Sequence, residues 1–168
     1  MPYYMNIAID GACSNNGQPD AIAASAAIVT FPGHRRRGIF TTILSTPPTA
    51  TSSRAELNGL ILALEAALER KAGLQYRPNF RLFIKTDSSY VVGIMTEWKA
   101  KWEANGWKRA NGEGVANVDL IERASQLEQA VKRGGGGFIK YELVPRKWNG
   151  HANWAARKAL KWEMEDSE

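Results

Sequence analysis

The stretch RAELNGLILALEAALERK, residues 54–71, is the clearest helical segment of the chain. Its apolar residues recur at the three- and four-residue spacing of an amphipathic helix. They are Leu57, Leu60, Ile61, Leu64 and Leu68. Short apolar segments precede this helix, whereas strand-like and helix-like segments alternate after it. The stretch therefore divides the chain into a β-rich first part and an alternating α/β second part.

Three strand-like segments precede the helix. They are YYMNIAIDGAC (3–13), AIAASAAIVTF (21–31) and IFTTILS (39–45). The turn PGHRRRG (32–38) joins the second to the third, and we interpret its arginines, 35–37, as a solvated loop. Because such short connections allow only hairpins, we expect the three strands to pair antiparallel.

Two further strands alternate with helices in the second part. RLFIKTD (81–87) and FIKYELVP (138–145) are typical of strands, and SSYVVGIMTEWKAKWEANG (88–106) and VDLIERASQLEQAVKR (118–133) of helices. A final helix is predicted to start near Ala152. Because helices separate strands 1, 4 and 5, these strands should be parallel, with right-handed crossovers. The pattern predicts an α/β fold with a five-stranded mixed sheet, three antiparallel strands and then two parallel ones, flanked by helices.

Length and composition indicate one globular domain over residues 1–168. Hydrophobic residues make up 44% of the chain, and 22 lysines and arginines against 17 acids give a net charge of +5. This balance permits an anionic partner without proving one. Cys13 is the single cysteine, so no internal disulfide is possible and a reducing, intracellular compartment is expected. We find no signal peptide or membrane-spanning run, and we expect a monomer.

Three acidic residues are candidates for chemistry. Asp10 is predicted at the end of strand 1, Asp87 at the end of strand 4, and Glu56 at the start of the helix between them. Each has a simpler interpretation: Asp10 as part of an Asp-Gly turn, Asp87 as a helix cap, and Glu56 as the partner of Ser53 in a capping box. Yet Glu56 also falls beside the apolar stripe, where an unpaired carboxylate is costly.

The predicted topology brings the three carboxylates to the same edge of the sheet. Acids packed closely need cations, and hard ions such as Mg²⁺ prefer oxygen ligands. A carboxylate cluster with two such ions is a device for phosphodiester cleavage, in which one ion activates water and the other stabilises the leaving oxygen.

Beyond these acids, the chain resembles type I ribonuclease H. The matching segments are IDGACSNNG (9–17), TSSRAEL (51–57), TDSSYVVGI (86–94), WKAKWEANGWKRANGEGVANVDL (98–120) and VPRKWNGHANWAARKAL (144–160). They cover nearly the whole chain in the family's order. The order of the acids along the chain, with the glutamate second, also argues against an integrase of the DDE type, in which the glutamate comes last.

The resemblance implies the ribonuclease H fold and metal-dependent hydrolysis of the RNA strand of RNA–DNA hybrids. It implies two Mg²⁺ ions per site, with Mn²⁺ as a substitute. It assigns Asp10, Glu56 and Asp87 as catalytic, metal-binding carboxylates, and it places a fourth acid on the last helix, where this sequence has Asn153.

Asn153 is the main departure from the family pattern. An amide oxygen can ligate a hard ion but brings no charge, so we expect activity that is weakened or shifted toward Mn²⁺. The alternative is a catalytically poor module that binds RNA–DNA hybrids. A natural and an engineered substitution are equally consistent with Asn153. The histidine that many members carry before the fourth acid is also missing, and we interpret His151 as a surface residue at a helix start.

The resemblance also assigns contacts with the hybrid. The matched residues are Asn16, Thr51, Ser52, Ser53 and Asn117. It implies that Asn16 contacts the RNA strand and that Thr51 and Asn117 hold a DNA phosphate. Ser52 and Ser53 replace longer amides that help to recognise the 2′-hydroxyl, and because serine reaches less far, we expect less stringent selection of the substrate. An arginine often found two residues before Thr51 is Thr49 here, which implies a weaker phosphate pocket.

Residues 98–109 form a basic, tryptophan-rich segment that matches the family's basic protrusion. Lysines give salt-sensitive phosphate contacts, and an aromatic ring can pack on a sugar or base. We predict that Trp98 packs into the core. We predict nucleic-acid binding for Lys101, Trp102, Lys108 and Arg109.

Overall fold

The computed structural model describes residues 1–31, 33, 35, 37–45, 50–134 and 136–167. The strands are β1 (Tyr3–Ser14), β2 (Ile22–Thr30), β3 (Arg37–Leu44), β4 (Phe80–Thr86) and β5 (Phe138–Leu143). The helices are α1 (Ser52–Ala72), α2 (Ser89–Gly93), α3 (Lys99–Ala104), α4 (Val118–Lys132) and α5 (Gly150–Asp166). A π-helical turn (Ile94–Trp98) joins α2 to α3, and a 3₁₀ turn (Arg146–Trp148) precedes α5.

The five strands form one mixed sheet in the order β3-β2-β1-β4-β5. β1 pairs antiparallel with β2 and β2 antiparallel with β3, whereas β4 is parallel to both β1 and β5. The predicted fold class and strand directions are therefore confirmed.

Helices cover the two faces of the sheet unequally. On one face, alternate residues of β1 such as Met5, Ile7 and Ile9 form the main core with the apolar residues of α1 and α4. On the other face, α5 packs against β1, β2 and β3, with an interface made largely of alanines. Because alanine side chains are small, α5 can approach the plane of the sheet closely.

The predicted placement of Asp10 at the end of the first strand is wrong. β1 continues past Asp10 to Ser14, because Asp10 pairs with Ala26 and Ser14 with Ile22 of the antiparallel neighbour. On its other side, the parallel pairing with β4 ends at Ala8. Asp10 therefore lies inside a strand rather than in a turn, at a point where one neighbouring strand has already ended.

Two predicted helix starts also differ from the structure. The side chain of Thr51, rather than Ser53, caps α1 by accepting a hydrogen bond from the backbone N–H of Arg54 at 3.1 Å. The capping-box interpretation of Glu56 is therefore wrong. The last helix begins at Gly150, so His151 is an exposed residue of its first turn.

The predicted helix over residues 88–106 is not uniform. It changes from α to π geometry between Ile94 and Trp98 and then returns to α geometry. A Cβ atom at Gly93 would lie 2.6 Å from the Trp98 ring, so the glycine allows the indole to fold back on the helix. The half-buried Trp98 packs against the main core, as predicted.

In the hairpin between β2 and β3, Arg37 and Gly38 belong to β3 rather than to the predicted turn, because they pair with Thr30 and Val29. The predictions for Arg36 and Thr49 concern positions outside the described residues. Within the part of the chain that the structure describes, none of the helices combines the length and apolar character needed to span a membrane.

Candidate active site

The four residues predicted for the metal site line one open cleft of about 840 Å³. Asp10 comes from β1, Glu56 from α1, Asp87 from the residue after β4, and Asn153 from α5. The cleft lies where β4 and β5 end, since Leu143 at the end of β5 also lines it. The topology thus gathers residues from four elements at one edge of the sheet.

Asp10 is buried and held by two hydrogen bonds. Its carboxylate accepts from the backbone N–H of Gly11 at 2.8 Å and from Nδ2 of Asn153 at 2.9 Å. Burial raises the pKa of Asp10 above its ordinary value, and these two hydrogen bonds partly oppose the increase. The Asp87 carboxylate raises this pKa further, whereas the Arg146 guanidinium lowers it.

Glu56 is half-buried and oriented by Ser88. The Ser88 hydroxyl donates to Oε2 of Glu56 at 2.6 Å and accepts from the backbone N–H of Val91 at 3.2 Å. Burial raises the pKa of Glu56; the Ser88 hydrogen bond opposes this, and the charges of Asp10 and Asp87 add to it. The negative charges of this site therefore destabilise one another.

The donor set of the cleft suits a hard divalent cation. Carboxylate and amide oxygens are the ligands that Mg²⁺ prefers, and the mutual repulsion of the acids is relieved by bound positive charge. Within the described residues, no three histidine, cysteine or acidic side chains lie close enough together to form a complete metal cage. The residues fit a metal site by their chemistry, and their role as ligands stays a prediction.

The position of Asn153 depends on a contact between the turn before α5 and β1. Asn149 is buried, and its Nδ2 donates to the backbone carbonyl of Ile9 at 2.8 Å. The carbonyl of Asn149 then accepts from the backbone N–H of Asn153 at 3.1 Å. Because Ile9 directly precedes Asp10, the same contact places Asn153 next to the Asp10 carboxylate.

The predicted hybrid contacts near the start of α1 are linked to one another. Oδ1 of Asn16 accepts from the backbone N–H of Ser52 at 3.0 Å, and Ser52 lines the cleft. Ser53 follows in the first turn of α1. Asn117 has a left-handed backbone with φ of 60°, and its Oδ1 accepts from Arg54 at 3.4 Å. Arg54 also donates its backbone N–H to the hydroxyl of Thr51. It therefore connects Thr51 with Asn117, the two residues of the predicted phosphate pocket.

The four predicted protrusion residues do not line the cleft. Exposed Lys101 forms an ion pair with Glu97, and exposed Arg109 forms one with Glu113. Trp102 is half-buried and packs beside Trp98, with 6.0 Å between the ring centroids. This segment is therefore a separate surface, and its binding role stays a prediction.

Three residues of the site were missed in the reasoning from sequence, and two of them line the cleft. Ser88 orients Glu56, and Arg146 and Arg157 bring positive charge to the cleft. A signal for Arg157 was present, because it lies four residues after Asn153 and so on the same face of a helix. Ser88 gave no such signal, since its contact joins elements that are 32 residues apart in the chain.

Comparisons with known proteins agree with this architecture. The sequence pattern of the RNase H family matches residues 2–134. The chain is 37% identical over 159 residues to ribonuclease H of Anaplasma marginale, covering 92% of this chain and 89% of that protein. It is 33% identical over 148 residues to ribonuclease H of Escherichia coli, covering 88% and 78%.

A solved structure extends the comparison to the fold. LC9-RNase H1, a type 1 RNase H with the type 2 active-site motif, superposes with a TM-score of 0.69 at 28% identity, covering 96% of this chain and 74% of that one. Sequence pattern, relatives and fold therefore agree: the chain belongs to the type I ribonuclease H family of endoribonucleases.

Proposed function

We propose that this protein hydrolyses the RNA strand of RNA–DNA hybrids with two divalent metal ions held by Asp10, Glu56, Asp87 and Asn153. The observation that carries the proposal is the convergence of the three acids on one cleft, where burial and the charges of Asp10 and Asp87 raise the pKa of Glu56. When bound, such ions activate the attacking water and stabilise the leaving oxygen. Dependence on divalent metals is general in this family.

The protein's own contribution is to hold the donor atoms in place before substrate binds. Gly11 and Asn153 orient the Asp10 carboxylate, and Ser88 orients Glu56. Because these hydrogen bonds are already made, little reorganisation is needed on binding a cation or substrate.

Phosphate binding is assigned to cations inside and outside the cleft. Arg146 and Arg157 lie in the cleft beside the carboxylates and can offset the charge of the RNA backbone. On the protrusion, Lys108 and Arg109 are exposed and can contact the DNA strand, although Arg109 must first give up its ion pair with Glu113. The hydroxyls of Ser52 and Ser53 are shorter than the amides common in the family, which supports relaxed recognition of the 2′-hydroxyl.

A cleavage assay tests this function directly. A uniform hybrid with labelled RNA is incubated with wild-type protein and Mg²⁺ or Mn²⁺, beside the same RNA in a duplex with RNA. We expect metal-dependent cleavage of the hybrid alone, which Asp10→Asn abolishes. Asp166→Asn removes an exposed acid at the end of α5 and serves as the matched control. Hybrid cleavage that persists in Asp10→Asn would contradict the proposed site.

A second candidate is a hybrid-binding module with little catalytic activity. Asn153 favours it, because its amide donates to Asp10 where the family pattern has a fourth acid. A fourth carboxylate would add negative charge and strengthen ion binding. Hybrid binding without cleavage in either metal would establish this candidate, whereas cleavage in Mn²⁺ would exclude it.

A further inference from the structure

We propose that the half of the sheet face that α5 leaves uncovered binds single-stranded RNA, as the tail that continues the RNA strand of the hybrid. We call this surface the open face. Its nine residues are Tyr4, Asn6 and Ala8 of β1, Arg81, Phe83 and Lys85 of β4, and Phe138, Lys140 and Glu142 of β5. Ala8 marks its boundary, because it also packs against the alanine cluster of α5.

The register of the strands defines the open face. Successive side chains of a strand point to opposite faces of the sheet. Leu82 and Ile84 of β4 are buried in the main core, so Arg81, Phe83 and Lys85 point to the opposite face. That is the side on which α5 packs, but α5 packs on β2, β3 and the part of β1 at Ala8 and Ala12. The first part of β1 therefore belongs with β4 and β5 to the open face.

Aromatic rings run diagonally across the open face. The Tyr4 and Phe83 rings are stacked, with centroids 6.4 Å apart and 19° between their planes. Phe83 and Phe138 follow at 6.1 Å with an edge-to-face arrangement. Tyr4 and Phe138 are 44% and 43% exposed. Three neighbouring aromatic rings on a solvent-facing sheet surface provide a platform on which bases can stack, as in other sheet surfaces that bind single-stranded RNA.

Cations lie beside the aromatic rings in the cross-strand rows. Each cross-strand row of the open face contains one cation: Arg81 lies between Tyr4 and Phe138, Lys140 follows Asn6 and Phe83, and Lys85 lies between Ala8 and Glu142.

Few acidic side chains compensate the positive charge of the open face. The Arg81 guanidinium lies 5.7 Å from the centre of the Phe138 ring. Glu142 is the one acid among the nine residues, and it pairs with Lys140 at 3.5 Å. The net charge of the face is therefore positive, which complements a phosphate backbone and disfavours a basic partner, such as a second copy of this chain with its net charge of +5.

The open face is continuous with the cleft, and this continuity indicates which nucleic-acid strand reaches it. Lys85 lies two residues before Asp87, so the open face leads along β4 toward the candidate active site. Under the proposed function, the strand beside Asp87 is the RNA strand, and its single-stranded extension is the segment that reaches the open face. The choice of RNA rests on the proposed function, whereas the stacking site itself does not.

Binding of a labelled oligouridine, followed by fluorescence anisotropy at low salt, tests the site. Tyr4→Ala/Phe138→Ala should weaken binding about tenfold or more, because each ring stacks a base. The matched control is Phe40→Ala, which removes a ring of similar exposure, 41%, from edge strand β3. Circular dichroism checks that each variant is folded, and Lys85→Gln/Lys140→Gln provides a second pair that should flatten the salt dependence.

Three results would overturn the proposal. The first is oligouridine affinity that is unchanged in both double variants. The second is tighter binding of oligothymidine through the same residues, which would reject RNA as the occupant. The third is concentration-dependent dimerisation in sedimentation that Tyr4→Ala/Phe138→Ala abolishes, which would assign the face to a second copy of the chain.

Cleavage kinetics separate this proposal from the proposed function. A hybrid with a single-stranded RNA tail should have a lower KM than a blunt hybrid, and Tyr4→Ala/Phe138→Ala should remove that difference without changing cleavage of the blunt hybrid. An equal KM for both substrates in the wild type contradicts the tail assignment. If no hybrid is cleaved, the proposed function fails while the oligouridine measurement still decides whether the open face binds a single strand.

Discussion

The contact between Asn153 and Asp10 sets the electrostatics of the site. The amide donates a hydrogen bond to the buried carboxylate and helps to hold its pKa down against burial. An acid at position 153 would replace this donor with a further negative charge. Without metal, the neutral asparagine therefore avoids repulsion that an acid would add. Under the proposed function, the same residue would bring one negative charge fewer to a bound ion than an acid would.

We predict that Asn153→Asp increases the Mg²⁺-supported cleavage rate by about tenfold, equivalent to about 1.4 kcal/mol in the barrier, because the added charge strengthens ion binding. Metal titration of the cleavage rate and of the melting temperature measures the effect. Asn58→Asp adds the same charge on α1 outside the cleft and should change neither quantity. An unchanged rate in Asn153→Asp would show that position 153 takes no part in metal binding.

The pKa of Glu56 predicts how the metal-free protein responds to pH. Because the folded state raises this pKa above its ordinary 4.5, the folded carboxyl binds its proton more tightly than the unfolded one. The free energy of unfolding should then fall as the pH rises from 4.5 through the folded pKa. Glu56→Gln removes this loss.

We expect metal-free Glu56→Gln to be more stable than the wild type at neutral pH, by on the order of 1 kcal/mol or less because water in the open cleft screens the charges. Urea unfolding at acidic and neutral pH measures the difference, and Mg²⁺ should stabilise the wild type more than the variant. Glu65→Gln, on an exposed part of the same helix, is the control. Equal pH profiles for wild type and Glu56→Gln would contradict this account.

At the scale of elements, the spacing between β1 and α1 keeps Asp10 close to Glu56. A Cβ atom at Gly11 would lie 2.7 Å from backbone atoms of Ala55 and Glu56. No side chain therefore fits at position 11 unless the strand and helix separate.

Gly11→Ala should destabilise the fold by roughly 1–3 kcal/mol, as overpacking does, and should also lower cleavage because it moves Asp10 away from Glu56. The control is Gly114→Ala, since a Cβ atom there meets nothing within 4 Å. Thermal unfolding and cleavage are measured on both variants. Wild-type stability in Gly11→Ala would show that the two elements can separate at no cost.

A second junction joins α3, α4 and β5 through buried polar groups. Lys99 of α3 donates to Glu128 of α4 at 2.9 Å and to Ser125 at 3.2 Å, and the Tyr141 hydroxyl of β5 donates to Glu128. The side chains of Lys99 and Glu128 are 14% and 8% exposed. The carboxylate is therefore the common acceptor that attaches the basic segment to the core.

Glu128→Ala should cost about 3 kcal/mol or more, because it leaves the charge of Lys99 buried without its carboxylate partner. Glu122→Ala removes an exposed acid from the same helix and should cost much less. Urea unfolding compares the two variants. A loss in Glu128→Ala no larger than in the control would mean that water reaches Lys99 and replaces the ion pair.

Across the whole molecule, which has a net charge of +5, exposed cations differ in whether an acid of the same chain pairs with them. Lys101 and Arg109 already form ion pairs with Glu97 and Glu113. Among the described residues, no acid lies within ion-pair distance of Lys108. A phosphate at Lys108 therefore displaces no internal partner, in contrast to one at Lys101.

We predict that Lys108→Ala reduces the slope of log Kd for the hybrid against log salt concentration by about one, and that Lys101→Ala reduces it less. Anisotropy titrations over a range of salt concentrations measure the slopes. Arg77→Ala removes an exposed cation from the loop before β4 and is the control. Equal slopes for Lys108→Ala and the wild type would remove the protrusion from the binding surface.

Much of the fold follows from local patterns. The apolar spacing in α1 and the short links between the first three strands determine both element types and strand directions, because periodicity and loop length act within a few residues. The convergence of Asp10, Glu56 and Asp87 on one edge followed from this topology. Two details were mispredicted. The place of Asp10 inside β1 depends on pairing with β2, and the cap of α1 was assigned to Ser53 although the neighbouring hydroxyl of Thr51 provides it.

The α/β architecture, the three acids at one edge and the resemblance to the family can be read from the amino-acid sequence alone. The packing of the elements is needed to show that Asn153 donates to Asp10 across 143 residues, that Ser88 orients Glu56, and that α5 leaves the open face uncovered. The physical reason is range. Backbone periodicity is encoded locally, whereas hydrogen-bond partners and uncovered surfaces depend on how whole elements pack, which no short segment specifies.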